Sequence, residues 1–389
     1  MSPGIRVARM AGIVVACSLT ASPAAAARTP LRVGIEDDPV FVRLPSSYGG
    51  LGPSRSVPGT LGYERAHALG ARILRIAVRW SIVQPARSEH REDWSYYDRA
   101  VDGASGAGFE VQMVLSGPAP AFATGNGRVG VYRPRAADFG RFVEAAVRRY
   151  HRQVATYSVW NEPNWWSSLK PNRDAAAIYR RLYEVGYAAI KRLDPSARVL
   201  IGELAPMGYP EAAIPPLRFL RELTCATTGR QPAARCRGLV ADGFALHPYT
   251  LRWRPTFPGK GGDDVTTGSL QRIVGVLHRL AELGSLTTPS GAAPGLYLTE
   301  YGWHARYPPI DEVKRAAYAT AGFGLASHQP QVQEIVWYQL AAPPRSRRHI
   351  WDTALLTARG QPRPVFTALQ EWIAGNASAT AARQADRSR

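Results

Sequence analysis

Short runs of β-forming residues alternate along this chain with stretches of helical periodicity, and each β run is closed by polar, Gly or Pro sequence. Eight such runs can be marked, at 31–35, 73–78, 110–115, 156–160, 199–202, 243–246, 296–299 and 335–338. The clearest helical stretch, 136–150, places Phe139, Phe142, Val143, Ala146, Val147 and Tyr150 on one face, at the three- and four-residue spacing of an amphipathic helix. A second opens at Asp174, a residue type that caps helices, and stops before Asp194-Pro195. Strands joined through helices run parallel, because each crossover returns the chain to the same end of the sheet. Eight of them predict one α/β domain, a single (β/α)8 TIM barrel with extended βα loops. The competing open doubly wound sheet would carry a phosphate-binding glycine loop after its first strand, and Gly34-Ile35-Glu36-Asp37 is not one.

Of the 389 residues, 45% are hydrophobic and 10% aromatic. That supplies a large core and excludes wholesale disorder, a collagen-like repeat and a small disulfide scaffold. The net charge is +18, and all but four of the 48 basic residues are arginines. They are scattered rather than gathered into a stripe, which argues against a nucleic-acid partner. At the N-terminus Arg6 and Arg9 precede an apolar run over 10–19, and Ala25-Ala26-Ala27 offers a small-residue cleavage sequence. Residues 1–27 are therefore expected to be a signal peptide, and the mature chain to be secreted or held at the cell surface. Lipoprotein attachment at Cys17 is the minor alternative. No other run is as apolar and long as a membrane span requires.

In an oxidising compartment Cys225 and Cys236 are expected to form a disulfide across a short loop, with two unpaired buried thiols as the alternative. No domain boundary is visible within 28–374. The Gly/Pro-rich stretch 254–269 lies between a strand and a helix and reads as a long loop on the active face, while 285–295 reads as an insertion on the opposite one. The tail 375–389 is poor in apolar residues and is expected to be disordered.

Chemistry-bearing sequence stands at two places: Trp160-Asn161-Glu162-Pro163-Asn164 follows the fourth run, and Thr299-Glu300-Tyr301-Gly302-Trp303 follows the seventh. A barrel brings the C-terminal ends of its strands to one mouth, so Glu162 and Glu300 are expected to face each other there. Two facing carboxylates can open a glycosidic bond by double displacement, one as nucleophile and the other as the proton donor that later activates water.

With these motifs the sequence resembles the clan of retaining (β/α)8-barrel β-glycosidases, which includes cellulases, β-xylosidases and exopolysaccharide hydrolases. The resemblance covers roughly residues 31–374 and implies Glu162 as acid/base, Glu300 as nucleophile and Asn161 as a donor to the sugar 2-hydroxyl. It further implies that Arg75, in Leu74-Arg75-Ile76, lies near the nucleophile. His247 and Tyr249, in His247-Pro248-Tyr249, are implied on the substrate side, and Trp337, in Val336-Trp337-Tyr338, as the floor of the catalytic subsite. Trp303 joins them as a substrate-binding residue. The end of the third strand, Ser116-Gly117-Pro118-Ala119-Pro120, departs from the clan by lacking an aromatic residue after its proline.

Other readings stay open beside this one. Arg75 can instead pair with a structural carboxylate, and Arg79 shares its strand face by two-residue alternation. Trp165, Trp166, Trp253, Trp303 and Trp351 fall in mouth loops, where an aromatic face can stack on a sugar ring or pack under the loop. Arg128, Arg133, Arg252, Arg254, Arg306, Arg345, Arg347 and Arg348 would stand at the mouth and outnumber the loop acids, chiefly Glu36, Asp37, Asp38, Asp263 and Asp264. An anionic carbohydrate substrate is the expectation that follows, since a basic cleft concentrates an acidic ligand. A transglycosidase with the same glutamates and a non-catalytic carbohydrate-binding barrel are the alternatives in function. The eight histidines are dispersed and no His-x-His follows the first strand, so no metal or other cofactor is expected.

Overall fold

All eight marked runs become strands, with boundaries moved by no more than three residues. The computed structural model describes residues 31–387 apart from 49–52, 55–56, 88–91, 227–235, 307–308 and 344–350. Its strands are β1 (Arg32–Glu36), β2 (Ile73–Arg79), β3 (Glu110–Ser116), β4 (Val154–Val159), β5 (Arg198–Leu204), β6 (Leu239–Val240), β7 (Gly243–Leu246), β8 (Leu286–Thr287), β9 (Gly295–Tyr301) and β10 (Val332–Tyr338). The helices are α1 (Asp38–Phe41), α2 (Gly59–Leu69), α3 (Trp80–Val83), α4 (Ser95–Gly106), α5 (Ala136–Tyr150), α6 (Ala175–Leu193), α7 (Pro216–Leu223), α8 (Leu270–Glu282), α9 (Glu312–Ser327) and α10 (Pro364–Arg387). Eight strands close a parallel barrel in the order β1-β2-β3-β4-β5-β7-β9-β10, with β10 pairing back onto β1. The expected signal peptide with Cys17, and the arginines at 345, 347 and 348, lie outside the described residues.

Two strands were not legible as such. β6 and β8 are two residues each and pair with one another, Leu239 with Leu286, beside the barrel. Strands that short carry no periodicity to read, and β8 occupies the stretch expected to be a plain insertion. The tail expected to be disordered is described as helix as far as Arg387, the end of α10. Its sequence from Ala374 onward is rich in Ala, the strongest helix former, and that outweighs its lack of apolar residues. Cys225 and Cys236 are joined as a disulfide.

Apolar side chains divide into two unequal bodies. The large one lies between the barrel wall and its helices; the small one is Leu200, Ala245 and Tyr297, from three neighbouring barrel strands. In the large body the α5 face meets the starts of α3 and α4: the Phe142 ring stacks on Trp80 at 5.6 Å and on Trp94, which precedes α4, at 5.9 Å. Burying a ring of this kind contributes roughly 3–5 kcal/mol relative to Ala.

Register fixes what stands at the mouth. Glu36 is level with Tyr338 on one side and with Arg75 on the other, so three polar side chains share one height. Just beyond β1, the buried Asp37 carboxylate accepts the backbone N–H groups of Leu340 and Ala341, both at 2.8 Å, and so ties the first barrel strand to the chain leaving the last.

Candidate active site

The turn after β4 holds residues in conformations their side chains disfavour. Trp160 has φ 64° and Glu162 φ 43°, both left-handed, a region that costs a non-Gly residue of order 1–3 kcal/mol and persists only where surroundings enforce it. Here the surroundings are explicit. The Trp160 indole donates to the Ser168 carbonyl at 2.8 Å and meets Phe139 edge-on at 5.6 Å. Gly117 leaves room for that ring, since a Cβ there would lie 2.8 Å from Trp160 Cζ2. Asn164, fully buried, donates to the carbonyls of Ala205 and Ile214 at 3.0 and 2.9 Å and accepts from the Ala205 N–H at 2.9 Å. Within the motif, then, Trp160 and Asn164 build the loop, and Asn161 and Glu162 are what it presents.

Two irregularities aim further side chains inward. On β9 three residues advance from Leu298 to Tyr301 while β10 advances two, from Ile335 to Trp337. The extra residue turns both Thr299 and Glu300 to the interior, as bulges do. On β5 the register shifts between Gly202 and Leu204, where Gly202 has φ 114° and Glu203 φ 51°. Only glycine fits at 202, because a Cβ would lie 2.5 Å from the Ala245 carbonyl oxygen.

These side chains meet around two buried cations. Through Nη1, Arg75 donates to Glu36 and, at 3.0 Å, to Glu300 Oε1; through Nη2 it donates to Asn161 Oδ1 at 2.9 Å and Glu203 Oε2 at 3.0 Å. His247 places Nδ1 3.1 Å from Glu162 Oε1 and Nε2 2.7 Å from Glu203 Oε2, with Glu300 Oε1 at 3.7 Å. The Tyr249 hydroxyl donates to Glu300 Oε2 at 3.2 Å. Burial alone would strip the proton from His247, but Glu300, Glu162 and Glu203 outweigh it and push the imidazole up to about 10. Burial likewise opposes ionisation of Glu203, yet Arg75 and His247 hold it down at about 2. Glu300 is raised, chiefly by burial, against the pull of His247 and Arg75. Burial raises Glu36 well above the carboxylate range despite Arg75.

Above this network opens a cavity of about 720 Å³, lined among others by Glu36, Asp38, Arg79, Asn161, Glu162, Trp165, Tyr209, Tyr249, Glu300, Tyr338 and Trp351. Glu162, Glu300, Asn161 and Tyr249 therefore reach one space, with Arg75 and His247 packed against them. Trp337 and Trp303 do not, and both expectations are corrected. The Trp337 indole donates to the Thr353 carbonyl at 2.9 Å, and its ring packs on Tyr301 and on Phe323 of α9, outside the barrel wall. Alternation along β10 gives the inner face to Tyr338 instead. Trp303 is 1% exposed and sits edge-on to Tyr318 of α9 at 4.8 Å, under the loop rather than in the mouth. Glu203 and Tyr338 were not singled out from sequence. A signal for Glu203 existed, since it is a carboxylate at the C-terminal end of a barrel strand, as Glu162 and Glu300 are.

Of the mouth arginines, Arg133 pairs with Asp174 at 2.6 Å and Arg306 with Asp352 at 2.9 Å. Asp174 thus stands at the start of α6 without capping it. Among the described residues no group of three or more His, Cys, Asp and Glu is placed to hold a metal ion, and no helix is long and apolar enough to cross a membrane.

No family model matches the sequence, and no curated protein matches it. Solved structures do. A family 39 glycoside hydrolase from Bacteroides cellulosilyticus aligns over 89% of this chain with a TM-score of 0.63 at 20% identity. A monomeric β-xylosidase from Caulobacter crescentus aligns over 89% of this chain and 69% of its own, at 0.56 and 19%. Xylanase 10B from Thermotoga petrophila, solved in complex with xylobiose, aligns over 89% and 94%, at 0.55 and 15%. What they share with this chain is the barrel. The chain spans 64% of the length of the first of them.

Chemically the two glutamates differ in how they are held. Glu300, with 12% of its side chain exposed, receives a donor on each oxygen; Glu162, with 24% exposed, is held by His247 at Oε1. The first arrangement fixes a carboxylate for attack on an electron-poor carbon. The second leaves a carboxyl oxygen open to exchange a proton with whatever fills the cavity.

Proposed function

We propose that this chain is a retaining β-glycoside hydrolase acting on an oligo- or polysaccharide, with Glu300 as nucleophile and Glu162 as acid/base. The observation that carries the reading is that these two carboxylates, from the ends of the fourth and seventh barrel strands, line one cavity and contact one imidazole ring, that of His247. The glycoside hydrolases that share the barrel support it. In the first step a Glu300 oxygen bonds to the anomeric carbon as the bond to the leaving oxygen breaks, and Glu162 gives that oxygen its proton. In the second, Glu162 takes a proton from water, the resulting hydroxide bonds to the anomeric carbon, and Glu300 leaves as carboxylate. Two inversions return the original configuration.

Among the described residues, the cavity is lined by the carboxyls of Glu36, Asp38, Glu162 and Glu300 with Arg79 as the cation among them. The sugar bound there is accordingly neutral in this proposal. Acidic substituents of the glycan fall outside, where Arg128, Arg252 and Arg254 are exposed. Action outside the cytoplasm is part of the same proposal, supported by the disulfide and the expected signal peptide.

The test is release of reducing ends from a panel of neutral and acidic β-linked polysaccharides, run beside Glu162→Gln and Glu300→Gln. Both substitutions are expected to lower kcat at least ~10²–10⁴-fold, and the first-formed sugar to keep the β configuration by NMR. Turnover that survives either substitution overturns the assignment of roles. Product longer than the substrate in place of free sugar identifies a transglycosidase, and tight binding without turnover identifies a binding barrel.

A further inference from the structure

We propose that Glu203 is a positioning residue of this site: from below the cavity it holds His247 and Arg75, the two groups that grip both candidate catalytic carboxylates. The roles named for those carboxylates rest on the hydrolase reading; the geometry of Glu203 does not. Its side chain is fully buried and does not line the cavity. One oxygen, Oε2, receives three donors from three strands: Arg75 Nη2 at 3.0 Å, His247 Nε2 at 2.7 Å and the Thr299 hydroxyl at 2.6 Å. The backbone takes part too, for the Glu203 carbonyl accepts the Glu162 N–H at 2.9 Å. That link joins two left-handed residues at the ends of the neighbouring strands β4 and β5. A glycine at 202 and a bulge in β5 are what turn the residue inward.

The chemistry follows from the number of protons an imidazole carries. A neutral ring has one N–H and can donate to one carboxylate; a ring between ionised Glu162 at Nδ1 and ionised Glu203 at Nε2 donates to both only when doubly protonated. Glu203 thus fixes His247 as a cation that donates to Glu162 Oε1 and leaves the other Glu162 oxygen free for the glycosidic oxygen. Through Arg75 the same carboxylate sets the guanidinium that donates to Glu300 and Asn161. The titratable groups facing His247 are Glu162 from the β4 loop, Glu203 from β5, Glu300 from β9 and Tyr249 two residues on. Those around Glu203 are Arg75, His247, Glu300, Tyr179 of α6 and Glu334 of β10.

The experiment is ¹⁵N NMR of the histidine rings across pH in the full chain, with the His247 signal assigned by its loss in His247→Gln, for the wild type and Glu203→Gln. The wild-type ring is expected to stay doubly protonated through neutral pH, and the variant ring to lose its proton at least one pH unit lower. On a cleaved glycan the same variant is expected to lower kcat about 10- to 100-fold, the size of effect typical when a supporting partner is removed. KM is expected to change less than about threefold, because Glu203 does not line the cavity. Glu203→Asp, which keeps the charge, is expected to restore most of the His247 titration. It also serves as the test if the amide variant does not fold, with a smaller downward shift expected. An unchanged His247 titration in a folded variant overturns the proposal whatever the activity does. If the wild type cleaves no glycan, the hydrolase reading falls, and the titration still decides the role of Glu203.

Discussion

The two ends of the barrel interior hold charge in opposite ways. At the mouth, Arg75 and His247 are fully enclosed and share Glu36, Glu162, Glu203 and Glu300 between them. At the floor, Arg32 meets Glu110 at 2.6 Å with about a third of each side chain exposed, and Arg198 stands 3.8 Å from the same Glu110. Glu334, beside them and 1% exposed, is pushed up to about 7 by burial, with Arg32 and Arg198 opposing. Arg32 and Glu110 can relax into water and so contribute little; the mouth charges cannot, and losing one strands the others. The same lumen therefore combines a floor tolerant of substitution with a mouth that is not.

The largest effect expected from breaking this contrast is at Arg75. Arg75→Met leaves Glu36 without its cation and Glu203 with His247 alone, and chemical denaturation should show a loss of roughly 3–5 kcal/mol. A loss below 1 kcal/mol would mean that the mouth network relaxes as the floor does. Glu334→Gln should do the reverse. The unfolded carboxyl ionises near 4.5 and the folded one near 7, so folding takes up a proton between those values. Wild-type stability accordingly falls as pH rises from about 4.5 to about 7, by up to ~3 kcal/mol. The amide variant should lose the Glu334 share of this slope between melts taken at pH 5 and pH 8, while the share from Asp37, which burial also raises to about 7, remains; a slope unchanged from wild type would place its origin elsewhere.

Tyr338 and Trp337 test the two faces of one strand. Tyr338→Phe should raise KM by several-fold with little change in melting, since one hydroxyl to substrate is worth about 1 kcal/mol. Trp337→Phe should lower the melting temperature and leave KM alone; the opposite pattern would restore Trp337 to the cavity. The smallest effect belongs to the floor. Arg32→Gln should cost less than about 1 kcal/mol in the same denaturation assay, and a larger loss would show the Arg32–Glu110 pair to be more than an exposed contact.

How far the sequence could be read follows the same physics. The barrel was legible because alternation of strand and helix survives in the residue pattern, and Glu162 and Glu300 because each ends a recognisable run. Trp337 was expected in the cavity from the resemblance, and Ile335-Val336-Trp337-Tyr338, apolar or aromatic throughout, offered no pattern to check it against. A strand buried on both faces carries no alternation to say which residue points in. Trp303 lies beyond the β9 bulge and Glu203 within the β5 one, and the trace of the β5 bulge in sequence is Gly202. The arginine count read as a basic mouth, yet Arg133 and Arg306 are each committed to an aspartate.

The seam between β1 and β10 has a consequence in time. Glu36 finds its neighbour at Tyr338, and Asp37 finds its donors at Leu340 and Ala341. A chain delivered from its N-terminus thus carries an open sheet with an unpaired edge until nearly its last strand has emerged. Closure of the cylinder, and with it the pairing that levels Glu36 with Tyr338, waits for β10. A chain without β10 has no finished mouth, so the cavity that holds Glu162 and Glu300 exists only once that strand has been delivered.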